Sequence, residues 1–333
     1  MSILVTGGLG YIGSHTCVEL LNNNYDVVII DNLVNSNVSV KDGIYNITKK
    51  NAKLYIGDVR DKLLLHQIFE ENKIDAVIHF AGLKAVGESN EIPLDYYDNN
   101  IFSTIALLEV MKEFKVYNFI FSSSATVYGN SDVIPITEDC KVGDVTCPYG
   151  RTKLFIEYIL KDLYKSDNNF NIIILRYFNP IGAHPSALIG ERPNGRPNNL
   201  VPYITGVASG KYEYLRIFGD DYNTKDGTGI RDYIHVCDLA YGHVCALKKV
   251  FSKTGLEIYN LGTGIGYSVF DVLHMFESII GRSIPYKVVA RREGDVPVCY
   301  ADATKAYKNL GFKAKYDLHN MCLHQWEFEK KNI

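Results

Sequence analysis

Six short runs of apolar, largely β-branched residues punctuate the first half of this 333-residue chain: ILVTG, DVVIID, KLYIGD, DAVIHFAG, NFIFSSS and NIIILRYF. Each is nearly continuous, not alternating, so a strand built from it must be buried on both faces. Between them lie segments such as YIGSHTCVELLNNN, DKLLLHQIFEEN and STIALLEVMKEF, with apolar residues every three or four positions, the period of a helix face. Strands and helices in alternation predict a parallel sheet covered on both sides, a doubly wound Rossmann-like α/β fold. Ligands of such sheets sit beyond the carboxyl ends of the strands. That rule singles out Gly7, Asp31, Asp58, Phe80 to Lys84, Ser122 to Ser124, and Tyr177 to Asn179.

After about residue 180 the texture changes to NPIGAHPSALIGERPNGRPNNLVPYI, rich in Gly, Pro and Asn, which predicts loops and short elements. VCDLAYGHVCALKKV (236–250) then reads as a helix and EIYNLG as a strand that can rejoin the sheet; the remainder reads as a smaller, less regular lobe. A net charge of −3 without long Lys/Arg runs offers nothing to attract nucleic acid. No apolar run approaches the roughly 18 residues of a membrane span, and the chain opens almost directly in a strand, so no signal peptide is expected. The seven cysteines are scattered and include no Cys-x-x-Cys, which predicts reduced thiols in a cytoplasmic protein and no metal site.

TGGLGYIG puts Gly7, Gly10 and Gly13 at the first strand-to-helix turn. Glycine there permits a tight turn, close backbone approach to a pyrophosphate and close helix–strand packing. The spacing is G-x-x-G-x-x-G, so the triplet alone is weak evidence. Asp31 strengthens it: a carboxylate at the end of the second strand accepts both ribose hydroxyls and repels a 2′-phosphate, which favours NAD over NADP. Asp58 is placed to accept from an adenine amino group with Val59 against the ring, and Lys84 to meet ribose or phosphate at the mouth of the site.

CPYGRTK sets Tyr149 four places ahead of Lys153, behind a proline suited to a first helical position. Tyr45 and Lys49 share that spacing, so spacing alone proves nothing; Tyr45 and Lys49 fall in a polar segment read as a solvated helix. The later pair differs because Ser124 ends the fifth strand about 25 residues earlier. A Ser, a Tyr and a Lys brought together suit hydride transfer from an alcohol, which needs a proton acceptor at the same carbon. A free tyrosine, pKa about 10, is only about 0.1% phenolate at pH 7, so a useful base requires a shift of roughly three units, about 4 kcal/mol. One positive charge about 4 Å away at an effective dielectric near 20 supplies that much. The expectation is therefore that Lys153, with an oxidised cofactor, lowers the Tyr149 pKa.

TGGLGYIG, DN after strand two, HFAGLKAVGES, YYDNN, SSSATVYG, PYGRTK, RYFNPIGAHPSA, GTGIRDYIHV and RREGDVP follow one another in an order that resembles the UDP-glucose (UDP-galactose) 4-epimerase family, extended members of the short-chain dehydrogenase/reductase superfamily. The resemblance runs from residue 2 to beyond 305. It implies an NAD-binding Rossmann-like domain over 1–180, rejoined by 237–262, and a UDP-sugar-binding lobe over 181–333. It implies a tightly held NAD, touched by Gly7, Gly10, Tyr11, Ile12, Gly13, Asp31, Asn32, Asn35, Ser36, Asp58, Val59, Phe80, Ala81, Gly82, Lys84, Asn99, Ser122, Tyr149, Lys153 and Tyr177. Tyr149, Lys153 and Ser124 become catalytic, with Tyr149 taking the proton from the sugar 4-hydroxyl on the way to a 4-keto sugar. Substrate contacts are implied at Lys84, Ser124, Tyr149, Phe178, Asn179, Asn199, Leu200, Arg216, Ile217, Phe218, Arg231, Arg292, Asp295 and Cys299. Arg231 and Arg292 would clamp the diphosphate, Phe218 would wall the uracil, and Asp295 would accept from ribose hydroxyls. Members confined to glucose and galactose carry a tyrosine where this chain has Cys299, so the small residue implies room for a 2-acetamido group and activity on UDP-N-acetylglucosamine and UDP-N-acetylgalactosamine. A homodimer is implied through YYDNNIFSTIALLEVMKEF and GRTKLFIEYILKDLYKS. Two alternatives stand beside this reading: a sugar-nucleotide 4,6-dehydratase, whose Asp-Glu pair is missing after Ser124, and a non-catalytic NAD-sensing protein, which can dispense with Tyr or Lys.

Overall fold

A computed structural model describes residues 1–333 save Asn194, Arg196, Asn198, Glu293 and Ile333. The first half runs β1 (Ser2–Thr6), α1 (Tyr11–Asn22), β2 (Asp26–Asp31), α2 (Val40–Thr48), β3 (Lys53–Ile56), α3 (Lys62–Glu71) and β4 (Ile74–His79). Short helices α4 (Val86–Glu91) and α5 (Pro93–Tyr97) and a π-helical turn then lead into α6 (Ser103–Glu113), β5 (Asn118–Ser124), α7 (Pro148–Ser166) and β6 (Asn171–Tyr177). The second half adds β7 (Asn179–Ile181), α8 (Leu200–Ala208), β8 (Leu215–Phe218), β9 (Ile230–His235), α9 (Val236–Val250) and β10 (Leu256–Leu261). It ends with β11 (Gly266–Ser268), α10 (Val269–Ile280), β12 (Tyr286–Val289), β13 (Val298–Cys299), α11 (Thr304–Leu310) and α12 (Leu318–Lys330).

All six expected strands enter one seven-stranded sheet, in the order β10-β6-β5-β4-β1-β2-β3 with every pairing parallel. Two apolar layers cover it. Ile3, Val5 and Ile29 pack toward α1 and α9, while Leu4, Val28 and Ile30 of the same strands pack toward α3 and α6. This two-sided burial is what a continuous apolar run encodes. Strand order reverses between β1 and β4, and at such a switch point the loops diverge and leave a crevice.

β10 completes the sheet beside β6. Ala306 and Phe312 join the core beneath that sheet, so the stretch around α11 packs with the first layer although it falls within 181–333. β9 carries the second lobe, pairing with β7 and β13 in parallel and with β11 antiparallel. The loop-rich stretch after residue 180 thus holds more regular structure than its composition predicts. Those strands are two to six residues long, too short for periodicity to register. Among the described residues no helix is long and apolar enough to cross a membrane.

Candidate active site

A cleft of about 750 Å³ opens at the carboxyl ends of the parallel strands. Gly7, Gly10, Tyr11, Ile12 and Gly13 line it from the β1–α1 turn, and Asp31, Asn32, Asn35 and Ser36 from the loop after β2. Asp58, Val59, Phe80, Ala81, Gly82, Lys84, Asn99, Ser122, Tyr149, Lys153 and Tyr177 complete the set expected around a dinucleotide. The glycine turn needs its glycines. Gly7 sits at φ +66, and a Cβ on Gly13 would stand 2.2 Å from the Gly7 carbonyl oxygen.

Asp31 is aimed by its neighbours. One carboxylate oxygen accepts from the Leu9 N–H at 2.9 Å; the other accepts from the Leu33 N–H at 2.9 Å and the Ser36 hydroxyl at 2.7 Å. Asp58 is less free than the sequence implied. Arg60 donates to its two oxygens at 2.9 and 2.8 Å, and that guanidinium holds the carboxyl down at about 2.

α7 starts at Pro148 behind Cys147, whose sulfur accepts from the Gly150 N–H at 3.5 Å. Tyr149 and Lys153 therefore share one helix face, across from the end of β5. The Ser124 side chain is near enough to the Tyr149 phenol to ease loss of its proton. Lys153, 6% exposed, donates to the Ser122 carbonyl at 2.7 Å. Its Nζ lies 5.9 Å from the centre of the Tyr149 ring.

The protein by itself does not acidify the phenol. Burial pushes Tyr149 up to about 12, against the help of the nearby Ser124 side chain, and burial pulls Lys153 down to about 8. Withdrawing water from a phenolate costs more than an ammonium committed to a carbonyl gives back. A further positive charge is needed at the phenol.

The residues expected around the substrate are dispersed. Lys84, Tyr149 and Asn199 line the cleft, whereas Ser124, Phe178, Asn179, Leu200 and the residues of β8, β9 and β13 lie outside its described lining. Phe178 is buried in a small apolar cluster with Val127, Ile136, Val145 and Leu154, against which Cys299 packs. Ile217 is only 1% exposed, so its side chain cannot meet a ligand: alternation along β8 turns Leu215 and Ile217 inward and Arg216 and Phe218 outward. Arg292 lies over the Phe218 ring at 3.9 Å and Arg216 at 5.8 Å. Arg231 faces Asp295 at 3.5 Å and pairs in register with Cys299.

A family model described as the NAD dependent epimerase/dehydratase family matches residues 3–262. The chain belongs to that family. It is 55% identical over 333 residues to the UDP-glucose 4-epimerase of Bacillus subtilis (strain 168), covering 100% of this chain and 98% of the relative. The crystal structure of UDP-glucose 4-epimerase from Bifidobacterium longum in complex with NAD+ and UDP superposes with a TM-score of 0.97 at 52% identity, covering 100% of this chain and 99% of that one. A Stenotrophomonas maltophila UDP-glucose-4-epimerase with bound NAD and formylated UDP-arabinopyranose superposes at 0.98 with 49% identity, covering 100% of this chain and 98% of that one.

NAD is the cofactor of this family, and the cleft fits it: a side chain at Gly13 would fill the turn that a diphosphate must approach, and Asp31 waits at the far end. Two residues escaped the sequence reading, one bracing the cleft and one lining it. Asn100 accepts from the Leu83 N–H at 2.8 Å and donates to the Leu83 carbonyl and the Thr152 hydroxyl, each at 3.0 Å, so it ties the loop after β4 to α7. Its only sequence signal is the YYDNN motif. Glu191, 8% exposed, lines the cleft and emerges from a Gly/Pro/Asn-rich stretch with no pattern to mark it.

Proposed function

We propose that this family member interconverts UDP-glucose and UDP-galactose by reversible oxidation at the sugar C4, through a 4-keto sugar, with NAD resident in the cleft. The observation that carries the reading is Tyr149 on the wall of that cleft, with Lys153 buried one turn along the same helix and the Ser124 side chain near enough to ease loss of the phenol proton. The glycine turn, Asp31 and Lys84 would hold the cofactor, which when bound supplies both a hydride acceptor and a positive charge beside the phenol.

Tyr149 takes the proton from the 4-hydroxyl and later returns it, while Ser124 bonds the same oxygen and holds it in line. Lys153, held by the Ser122 carbonyl, contributes its charge beside the phenol. The oxidised sugar must turn to present its other face, so the affinity has to lie in the nucleotide. Arg231, Arg292 and Asp295 with the Phe218 ring offer the charges and the apolar wall for that role. The Ala125-Thr126 sequence after Ser124 provides no acid and base for removing water from C5 and C6, which disfavours a dehydratase.

The reading extends to the acetamido sugars. Cys299 packs against the cluster holding Phe178 and Ala125, residues adjoining Tyr177 and Ser124, so a small side chain there leaves space next to the sugar. It extends also to a second copy of the chain as partner: Phe102 and Phe155, just before α6 and on α7, are 59% and 41% exposed. Reduced thiols fit a cytoplasmic setting. The test is a coupled assay of pure protein with UDP-galactose and no added NAD. Steady UDP-glucose formation is expected; protein that carries NAD yet forms none overturns the proposal.

A further inference from the structure

Lys84 and Asn199 approach the cleft from opposite sides, and one oxygen of Glu191 receives both. Lys84 follows β4 in the first layer and donates from Nζ at 2.9 Å; Asn199, the residue before α8, donates from its amide at 3.0 Å. Glu191 is nearly sealed from water, whereas the Lys84 side chain is 53% exposed. The carboxylate is thus the fixed member and the ammonium the movable one.

The backbone beside Glu191 is anchored as well. Ile189 belongs to the core beneath the sheet, and a Cβ on Gly190 would stand 2.6 Å from the Phe328 ring of α12. A buried carboxylate is retained only where its hydrogen bonds compensate desolvation. Here the compensating donors come from two lobes, and each donor has bonding capacity left over: an ammonium carries three N–H groups and an amide two.

We infer that Glu191 is a positioning residue that couples uridine-nucleotide binding to the retention of NAD. The inference rests on the proposed function, in which Lys84 faces the cofactor and Asn199 the substrate nucleotide. A nucleotide that orders Asn199 also orders the oxygen it shares with Lys84, and so steadies the lysine over the dinucleotide. Linkage makes the effect mutual: NAD in place strengthens nucleotide binding by the same factor. Glu191 itself touches neither reacting atom.

The experiment follows exchange of bound NAD for radiolabelled NAD in the holoenzyme, with and without saturating UDP. Wild-type protein should exchange slowly, and more slowly with UDP. Glu191→Gln should exchange at least about tenfold faster, the loss expected for one charge-assisted hydrogen bond, with no slowing by UDP. Glu191→Asp should restore part of the UDP effect. Wild-type rates in Glu191→Gln overturn the inference, and so does faster exchange that UDP still slows by the wild-type factor. A cycle with Lys84→Met separates coupling from damage to the fold: non-additive effects on exchange are expected, and additive ones count against the link. Failure of the wild-type protein to bind NAD or UDP would instead sink the underlying functional reading.

Discussion

Glu157 and Arg176 meet as a two-pronged pair inside the protein, Nε to Oε1 at 2.9 Å and Nη2 to Oε2 at 2.6 Å, with side chains 0% and 2% exposed. Ser123 adds a third bond, its hydroxyl donating to Oε1 at 2.6 Å. Glu157 follows Lys153 by one helical turn, Ser123 lies between Ser122 and Ser124, and Arg176 precedes Tyr177. The pair therefore pins the working face of α7 to β5 and β6. Glu157→Gln strands a buried guanidinium and should cost about 3–5 kcal/mol, whereas Glu157→Leu with Arg176→Met should regain most of that. Urea denaturation of the three proteins checks it; equal stability of Glu157→Gln and wild type would count against the pair.

Tyr149→Phe keeps the ring and removes only the hydroxyl. A positioned acid–base group contributes roughly 10²–10⁴-fold, so kcat on UDP-galactose should fall by at least about a hundredfold while the NAD content stays that of the wild type. Turnover with retained cofactor is the measurement. Near-normal kcat would remove the phenol from the chemistry.

Burial of Lys153 should be legible in the pH dependence of stability. Unfolded, the amine holds its proton up to 10.5; folded, only up to about 8. Between those values the unfolded chain binds more protons, so this group's contribution to stability rises with pH, by about 3 kcal/mol in all. Lys153→Met should abolish that rise. Urea midpoints of cofactor-free wild type and variant, compared at about pH 7.5 and about pH 10, isolate it; parallel curves would contradict the assigned shift.

Cys299→Tyr would place bulk beside the proposed sugar site. Overpacking of a formed pocket costs about 1–3 kcal/mol, so kcat/KM for UDP-N-acetylgalactosamine should drop by about tenfold or more while UDP-galactose changes little. If both substrates fall together, the side chain at this position does not gate sugar size.

Most of the first layer could be read directly, and for a physical reason. A strand buried on both faces needs apolar residues in succession, and a covering helix needs them at its own period, so ILVTG, DVVIID and YIGSHTCVELLNNN record their environments locally. The second lobe left a fainter trace. β7 and β13 span only three and two residues, and their partner β9 comes from elsewhere in the chain. Glu191 was silent because its importance lies in Lys84 and Asn199, which sequence places 107 and 8 residues away. Asp58 looked free because Arg60, two residues on, gives no hint that its side chain folds back.

Tyr45 and Lys49 stand in the same relation as Tyr149 and Lys153: four residues apart, with the ammonium 5.9 Å from the ring centre in both. By itself the sequence determined only the four-residue spacing, which inside α7 is one helical turn, whereas Lys49 stands just past the end of α2 with a left-handed backbone. Only the tertiary structure tells the two pairs apart. Tyr45 is 43% exposed, while Lys153 is sealed against the Ser122 carbonyl and Tyr149 lines the cleft beside it. Proton affinity depends on how much water is removed and which dipoles replace it, and in a fold those neighbours arrive from distant parts of the chain.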